Sequence, residues 1–143
     1  MRLVDVTFEA GAPADKLWMV LADFPGFLNW AGGGQGEIRV EGDGIGMIRH
    51  LSMTVGEIAE KLVKLDDEEM LIGYELVNGE PIGMKVYRAS VQVVKLSDDT
   101  SQVKWHGEFE AVDSTAEDQV AATLEATFQG MTQALVAYVG REQ

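Results

Sequence analysis

Few side chains in this sequence could do chemistry. There is no cysteine, so thiolate nucleophiles, thiolate metal sites and a disulfide framework are excluded. The two histidines, His50 and His106, have no third ligand in view, and no serine or threonine stands with a recognisable base and orienting acid. What remains is a set of polar residues within apolar, alternating stretches. Arg49 shares its parity with Met47, Leu51 and Met53, Glu60 with Ile58 and Leu62, Tyr74 with Ile72 and Leu76, and Lys85 and Tyr87 with Ala89, Val91 and Val93. A carboxylate or phenol in such surroundings can donate or accept a proton, or hydrogen-bond a carbonyl or hydroxyl. Glu60 and Tyr87 are therefore the candidate catalytic residues, with Tyr74, Lys85 and Arg49 beside them.

Two other signals are discounted. Gly42, Gly44 and Gly46 suggest a phosphate loop, but no helix follows to present its N-terminus, so a turn is expected. The acidic run Asp66-Asp67-Glu68-Glu69 reads as a solvated hairpin tip and not as a cation site. No metal and no cofactor are expected.

These side chains need a scaffold. The longest element is a helix over Ser114 to Val139, with Ser114 as N-cap and Glu117 completing a Ser-x-x-Glu capping box. Val120, Leu124, Phe128, Met131, Leu135 and Val139 form one apolar face at helical period. Its length, about 1.5 Å per residue, suffices to cover a sheet. Upstream, Val4, Val6 and Phe8 alternate with Asp5, Thr7 and Glu9 as a half-buried strand. A helix runs from Pro13 to Asp23, and a second short turn from Phe27 to Trp30 follows Pro25-Gly26. The glycine-rich run Ala31 to Gly36 has too little side chain to pack and is expected to be a flexible loop. Six strands follow, near 37–42, 45–54, 56–65, 69–77, 84–96 and 101–112, joined by short links rich in turn formers. Short links imply antiparallel neighbours. The order predicts an α+β fold: one curved seven-stranded antiparallel sheet, two short helices after strand 1 and a long final helix, all in one domain over residues 1–143.

A net charge of −13, from 11 basic and 24 acidic residues, disfavours nucleic acid and anionic membrane surfaces. No stretch approaches a 20-residue apolar span, and the first ten residues lack the basic start and apolar run of a signal peptide. A cytoplasmic protein without stable membrane insertion is expected. A monomer and a dimer through an exposed sheet edge both remain open.

The succession Phe24-Pro25-Gly26-Phe27-Leu28-Asn29-Trp30, Gly44-Ile45-Gly46-Met47-Ile48-Arg49, Glu60 to Asp67, and Val103-Lys104-Trp105 with Phe109 resembles the START/Bet v 1 (SRPBCC) superfamily. More narrowly it resembles the polyketide cyclase/dehydrase-like branch, and plant abscisic-acid receptors share parts of the pattern. The resemblance implies a helix-grip fold with an internal cavity for an apolar ligand. Entrance loops are implied at Asn78 to Pro81 and Thr54 to Gly56, although the latter lacks the receptors' Ser-Gly-Leu-Pro gate. It also selects the inward sheet face, because the opposite parity carries Glu57, Glu75, Arg88, Gln92, Lys104, His106, Glu108 and Glu110.

The resulting ligand-binding candidates are Trp30, Met47, Arg49, Leu51, Met53, Ile58, Glu60, Leu62, Tyr74, Leu76, Tyr87, Trp105, Phe128 and Met131. Lys85 shares the inward parity, although its stem is long enough to carry the amine to water at the rim. The methionines Met19, Met47, Met53, Met84 and Met131 are expected to fill gaps or line an adaptable pocket. Arg49 and Glu60 lie on adjacent strands and either form a structural ion pair or orient a ligand. Three functions follow: binding of a small hydrophobic lipid- or polyketide-like molecule, a cyclase or dehydratase using Glu60 and the cavity tyrosines, or a ligand-free interaction module. An unpaired Glu60 in a roomy cavity favours the enzyme; a filled interior favours the interaction module.

Overall fold

In the computed structural model, which describes residues 1–32, 35–53 and 56–141, the strands are β1 (Arg2–Ala10), β2 (Glu37–Glu41), β3 (Ile48–Met53), β4 (Gly56–Asp66), β5 (Leu71–Asn78), β6 (Met84–Lys95) and β7 (Ser101–Ala111). The helices are α1 (Ala14–Ala22) and α2 (Glu117–Arg141), with short 3-10 helices at Phe24–Asn29, Pro81–Gly83 and Ser114–Ala116. The strands form one antiparallel sheet in the order β1-β7-β6-β5-β4-β3-β2. Hairpins account for every neighbouring pair except β1 with β7, which sets the first strand beside the last. Of the expected loop and turn segments, Gly33, Gly34, Thr54 and Val55 lie outside the described residues.

The curved sheet closes over α2. Val120, Leu124, Phe128, Leu135 and Val139 of the expected stripe are buried, and Thr132 joins them. Gly107 on β7 permits this approach: a Cβ there would stand 3.1 Å from Leu124 Cδ2 and 3.2 Å from Phe128 Cζ, so those side chains would have to give by a few tenths of an ångström. Trp105 stacks on Phe128 with ring centroids 4.7 Å apart, and its indole N–H donates to Thr132 Oγ1 at 2.8 Å.

Several expected boundaries are corrected. The final helix is capped one residue earlier than Ser114: Asp113 Oδ1 accepts from Thr115 N at 3.0 Å and Thr115 Oγ1 at 2.7 Å, so Ser114 opens a 3-10 turn that leads into α2. Pro13 caps α1 instead of occupying its first turn. The second turn begins at Phe24, with Pro25 in its opening positions, where a missing N–H costs nothing. Strand β3 starts at Ile48 rather than residue 45, and β5 at Leu71 rather than 69, because Met70 takes φ 52° in the preceding turn.

Candidate ligand cavity

Between α2 and the β3–β6 part of the sheet lies a hollow of about 390 Å³. Its floor is built by Arg49, Leu51 and Met53 of β3, Ile58 and Glu60 of β4, Tyr74 of β5, and Met84 and Tyr87 of β6. The roof is Thr123, Leu124, Thr127 and Met131 on successive turns of α2. Phe27 closes one end, and Glu57, Glu80, Pro81 and Ile82 stand at the other. The wall is mostly apolar with a few fixed polar groups, the usual composition of a small-molecule site.

Alternation in the strands aims Arg49 and Glu60 inward, and register sets them directly opposite each other on β3 and β4. Arg49 Nε and Nη2 both donate to Glu60 Oε1, at 3.0 and 2.8 Å, and Nη1 donates to the Phe24 carbonyl at 3.1 Å. The guanidinium also lies 3.9 Å from the Phe24 ring centroid, 4.3 Å from that of Phe27 and 5.1 Å from that of Tyr74. Both charges are almost fully buried, and this multiple satisfaction is what a buried pair requires.

Tyr74 and Tyr87 lie diagonally across β5 and β6, where Tyr74 faces Ala89. Their hydroxyls meet at 3.4 Å with the rings edge to face. Burial pushes both phenols well above the ordinary tyrosine value, and the Glu60 charge adds to the effect while Arg49 partly opposes it. Both therefore stay protonated at neutral pH. Two hydroxyls share one hydrogen bond, so one O–H is left for a guest.

Of the expected contact residues, Arg49, Leu51, Met53, Ile58, Glu60, Tyr74, Tyr87 and Met131 share the hollow. Leu62 and Phe128 do not line it; they are fully packed core. Met47 and Leu76 pack against the core instead. Trp30 and Trp105 stand at the closed end, around a void of about 20 Å³ that has room for roughly one water. The amine of Lys85 is in water, as its long stem allows, but the inward parity is corrected: it lies 3.3 Å from Glu110 on the outer face. The β6–β7 register shifts between Met84 and Val86, so Lys85 is the extra residue of a bulge and parity inverts there. The same bulge brings Met84 inside, whereas Met19 is exposed on α1.

Sequence reasoning missed Phe24, Phe27, Thr123, Leu124, Thr127 and Ile82 as lining residues, whereas Glu80 and Pro81 fall in the expected Asn78 to Pro81 entrance loop. The aromatic pair was visible in the Phe24 to Trp30 motif, but nothing local indicated that it stacks on Arg49. Both histidines face outward as expected: His50 Nε2 lies 3.2 Å from Glu41 Oε1, and His106 Nδ1 lies 2.6 Å from Asp5 Oδ1. Among the described residues no cluster of three or more potential metal ligands occurs. The acidic run is a turn, although Asp67 also accepts from the Trp18 indole at 2.9 Å.

A sheet gripping a C-terminal helix over a partly hollow interior defines the helix-grip, Bet v 1-like class of proteins. The chain belongs to the family described as polyketide cyclase / dehydrase and lipid transport, whose profile matches residues 1–140. Solved structures of the same fold include the protein XoxI from Bacillus cereus, 22% identical with a TM-score of 0.83, covering 100% of this chain and 99% of that one. An uncharacterised Bacillus thuringiensis protein is 21% identical with a TM-score of 0.80, covering 96% and 98%. Norcoclaurine synthase from Thalictrum flavum, solved in complex with dopamine and hydroxybenzaldehyde, is 21% identical with a TM-score of 0.78, covering 99% and 88%. No curated protein matches the chain significantly. Among the described residues, no helix is long and apolar enough to cross a membrane.

Proposed function

We propose that the protein binds a small, largely apolar molecule in the hollow beneath α2, with a carbonyl or hydroxyl of that molecule accepting from the tyrosine pair. The observation that carries this reading is the hollow of about 390 Å³, mostly apolar, with the Arg49–Glu60 pair, two phenols, and the threonines Thr123 and Thr127 whose hydroxyls donate to helix carbonyls. Its volume falls within the range of drug-sized sites. The family, and the presence of two small aromatic molecules in norcoclaurine synthase, support the same reading. The test is saturable binding of a neutral apolar fluorophore such as Nile red, together with mass spectrometry of an organic extract of the purified protein. One-to-one binding that weakens in Thr127→Leu, which fills the hollow, is expected. Absence of saturable binding would sink the proposal.

A second reading, a cyclase or dehydratase, is favoured by the spare phenolic O–H, which could polarise a substrate carbonyl. Glu60 is less suited to proton transfer than an unpaired carboxylate, because two N–H groups of Arg49 hold one of its oxygens. Turnover of a polyketone that is lost in Tyr74→Phe/Tyr87→Phe would favour the enzyme over the binding protein. The interaction module was tied to a filled interior, and the hollow withdraws that support.

A further inference from the structure

The Arg49–Glu60 pair leaves one oxygen over. Both N–H groups that Arg49 sends to the carboxylate go to Oε1, and among the described residues Glu60 Oε2 receives no donor. Glu60 is only 5% exposed, yet among the described residues no fully buried side-chain oxygen or nitrogen lacks a partner. An oxygen without a partner is therefore one that borders open space, and the hollow is the space that Glu60 lines. Arg49 already balances the charge of Glu60, so what Oε2 lacks is a hydrogen-bond donor and not a cation.

The complementary group stands on the same floor. Tyr74 faces Leu62 on β4 and Ala89 on β6, each two residues along from Glu60 and Tyr87, so Tyr74 lies diagonally between those two side chains. All three line the hollow, and the tyrosine pair keeps one O–H. One wall of the hollow thus offers an acceptor and a donor side by side. From this we infer that the preferred ligand is a neutral, hydroxyl-bearing apolar molecule, whose O–H donates to Glu60 Oε2 while its own oxygen, or a carbonyl beside it, accepts from the spare phenolic O–H. Ethers and ketones of the same shape accept but cannot donate, so they leave Oε2 unsatisfied and bind less well. This inference rests on the ligand-binding reading above and adds the chemical class of the ligand.

The experiment is displacement of Nile red at neutral pH by 2-naphthol and 2-methoxynaphthalene, which share one ring system and differ in the ability to donate. The naphthol should outcompete the ether by about tenfold, the worth of one hydrogen bond to a charged acceptor. In Arg49→Met/Glu60→Leu, which removes the pair together, that advantage should vanish. Equal displacement by the two probes in the wild type would overturn the inference. A naphthol advantage that persists unchanged in the double variant would also overturn it, by assigning the effect to size or to the hydroxyl oxygens of Thr123 and Thr127. A second measurement needs no variant: in the infrared difference spectrum of the wild type, 2-naphthol should shift a carboxylate stretch that 2-methoxynaphthalene leaves in place. Absence of that shift overturns the inference whether or not the double variant folds. Failure of Nile red to bind the wild type at all would overturn the reading beneath, and this inference with it, whereas saturable Nile red binding without a naphthol advantage overturns this inference alone.

Discussion

The two ends of the space under α2 are built from the same helix and the same sheet, yet one is solid and the other hollow. Around Trp105 the stacked Phe128 ring and Met131 leave a void of about 20 Å³, whereas beneath Thr123 and Thr127 the space is about 390 Å³. At the filled end Phe128 stacks on Trp105 and Thr132 holds its indole, whereas over the hollow Thr123 and Thr127 stand beside Leu124 and Met131. Arg49, Tyr74, Phe27 and Met131 line both spaces, so they form the partition between them. The buried ion pair thus sits at the boundary, where it bridges β3 and β4 and presents a polar wall to the cavity. Stability and binding are assigned to different stretches of one element.

That division can be broken. The largest effect is expected at the partition: Arg49→Met leaves Glu60 as an uncompensated buried charge and should cost about 3–5 kcal/mol in denaturant unfolding, whereas Arg49→Met/Glu60→Leu should recover much of the loss. At the solid end, Phe128→Ala removes a fully buried ring and should cost about 3–5 kcal/mol by the same measurement. Thr132→Val strands the Trp105 indole N–H and should cost about 1–3 kcal/mol. At the hollow end, Thr127→Leu should change stability by less than about 1 kcal/mol while weakening Nile red binding about tenfold. If Phe128→Ala and Thr127→Leu affect stability and binding alike, the two ends are not distinct.

The smallest effect lies away from both. His106 has its pKa raised above 6.5, chiefly by its hydrogen bond to Asp5 and further by Glu108, so the folded state holds the proton more tightly. Its contribution is fully present below pH 6.5 and is lost as the pH rises through the folded value. Urea midpoints of the wild type and His106→Asn should therefore differ at low pH, converge at high pH, and differ less in salt.

Much of this was readable in the residues. The α2 stripe follows from helical period, and the pairing of Arg49 with Glu60 follows from parity across a hairpin, because an uninterrupted ladder makes side-chain direction a matter of counting. Counting fails at a bulge. Lys85 was assigned inward by parity, and the extra residue at Met84–Val86 reversed it. Burial is not a matter of counting either: Ala59 and Glu60 lie on opposite faces of β4, opposite His50 and Arg49, and both are buried. Phe24 and Phe27 lie distant in sequence from Arg49, and their stacking on it is a product of packing.

By itself the sequence determined the element order, the apolar face of the last helix and the burial of a complementary charge pair and two phenols, since these depend on period, propensity and the cost of unpaired charge. Only the tertiary structure decided that β1 closes on β7, that the helix meets the sheet at Gly107, and that space remains under Thr123 and Thr127. A void is a difference between the volume a fold encloses and the volume its side chains fill, and no local pattern of residues records that difference.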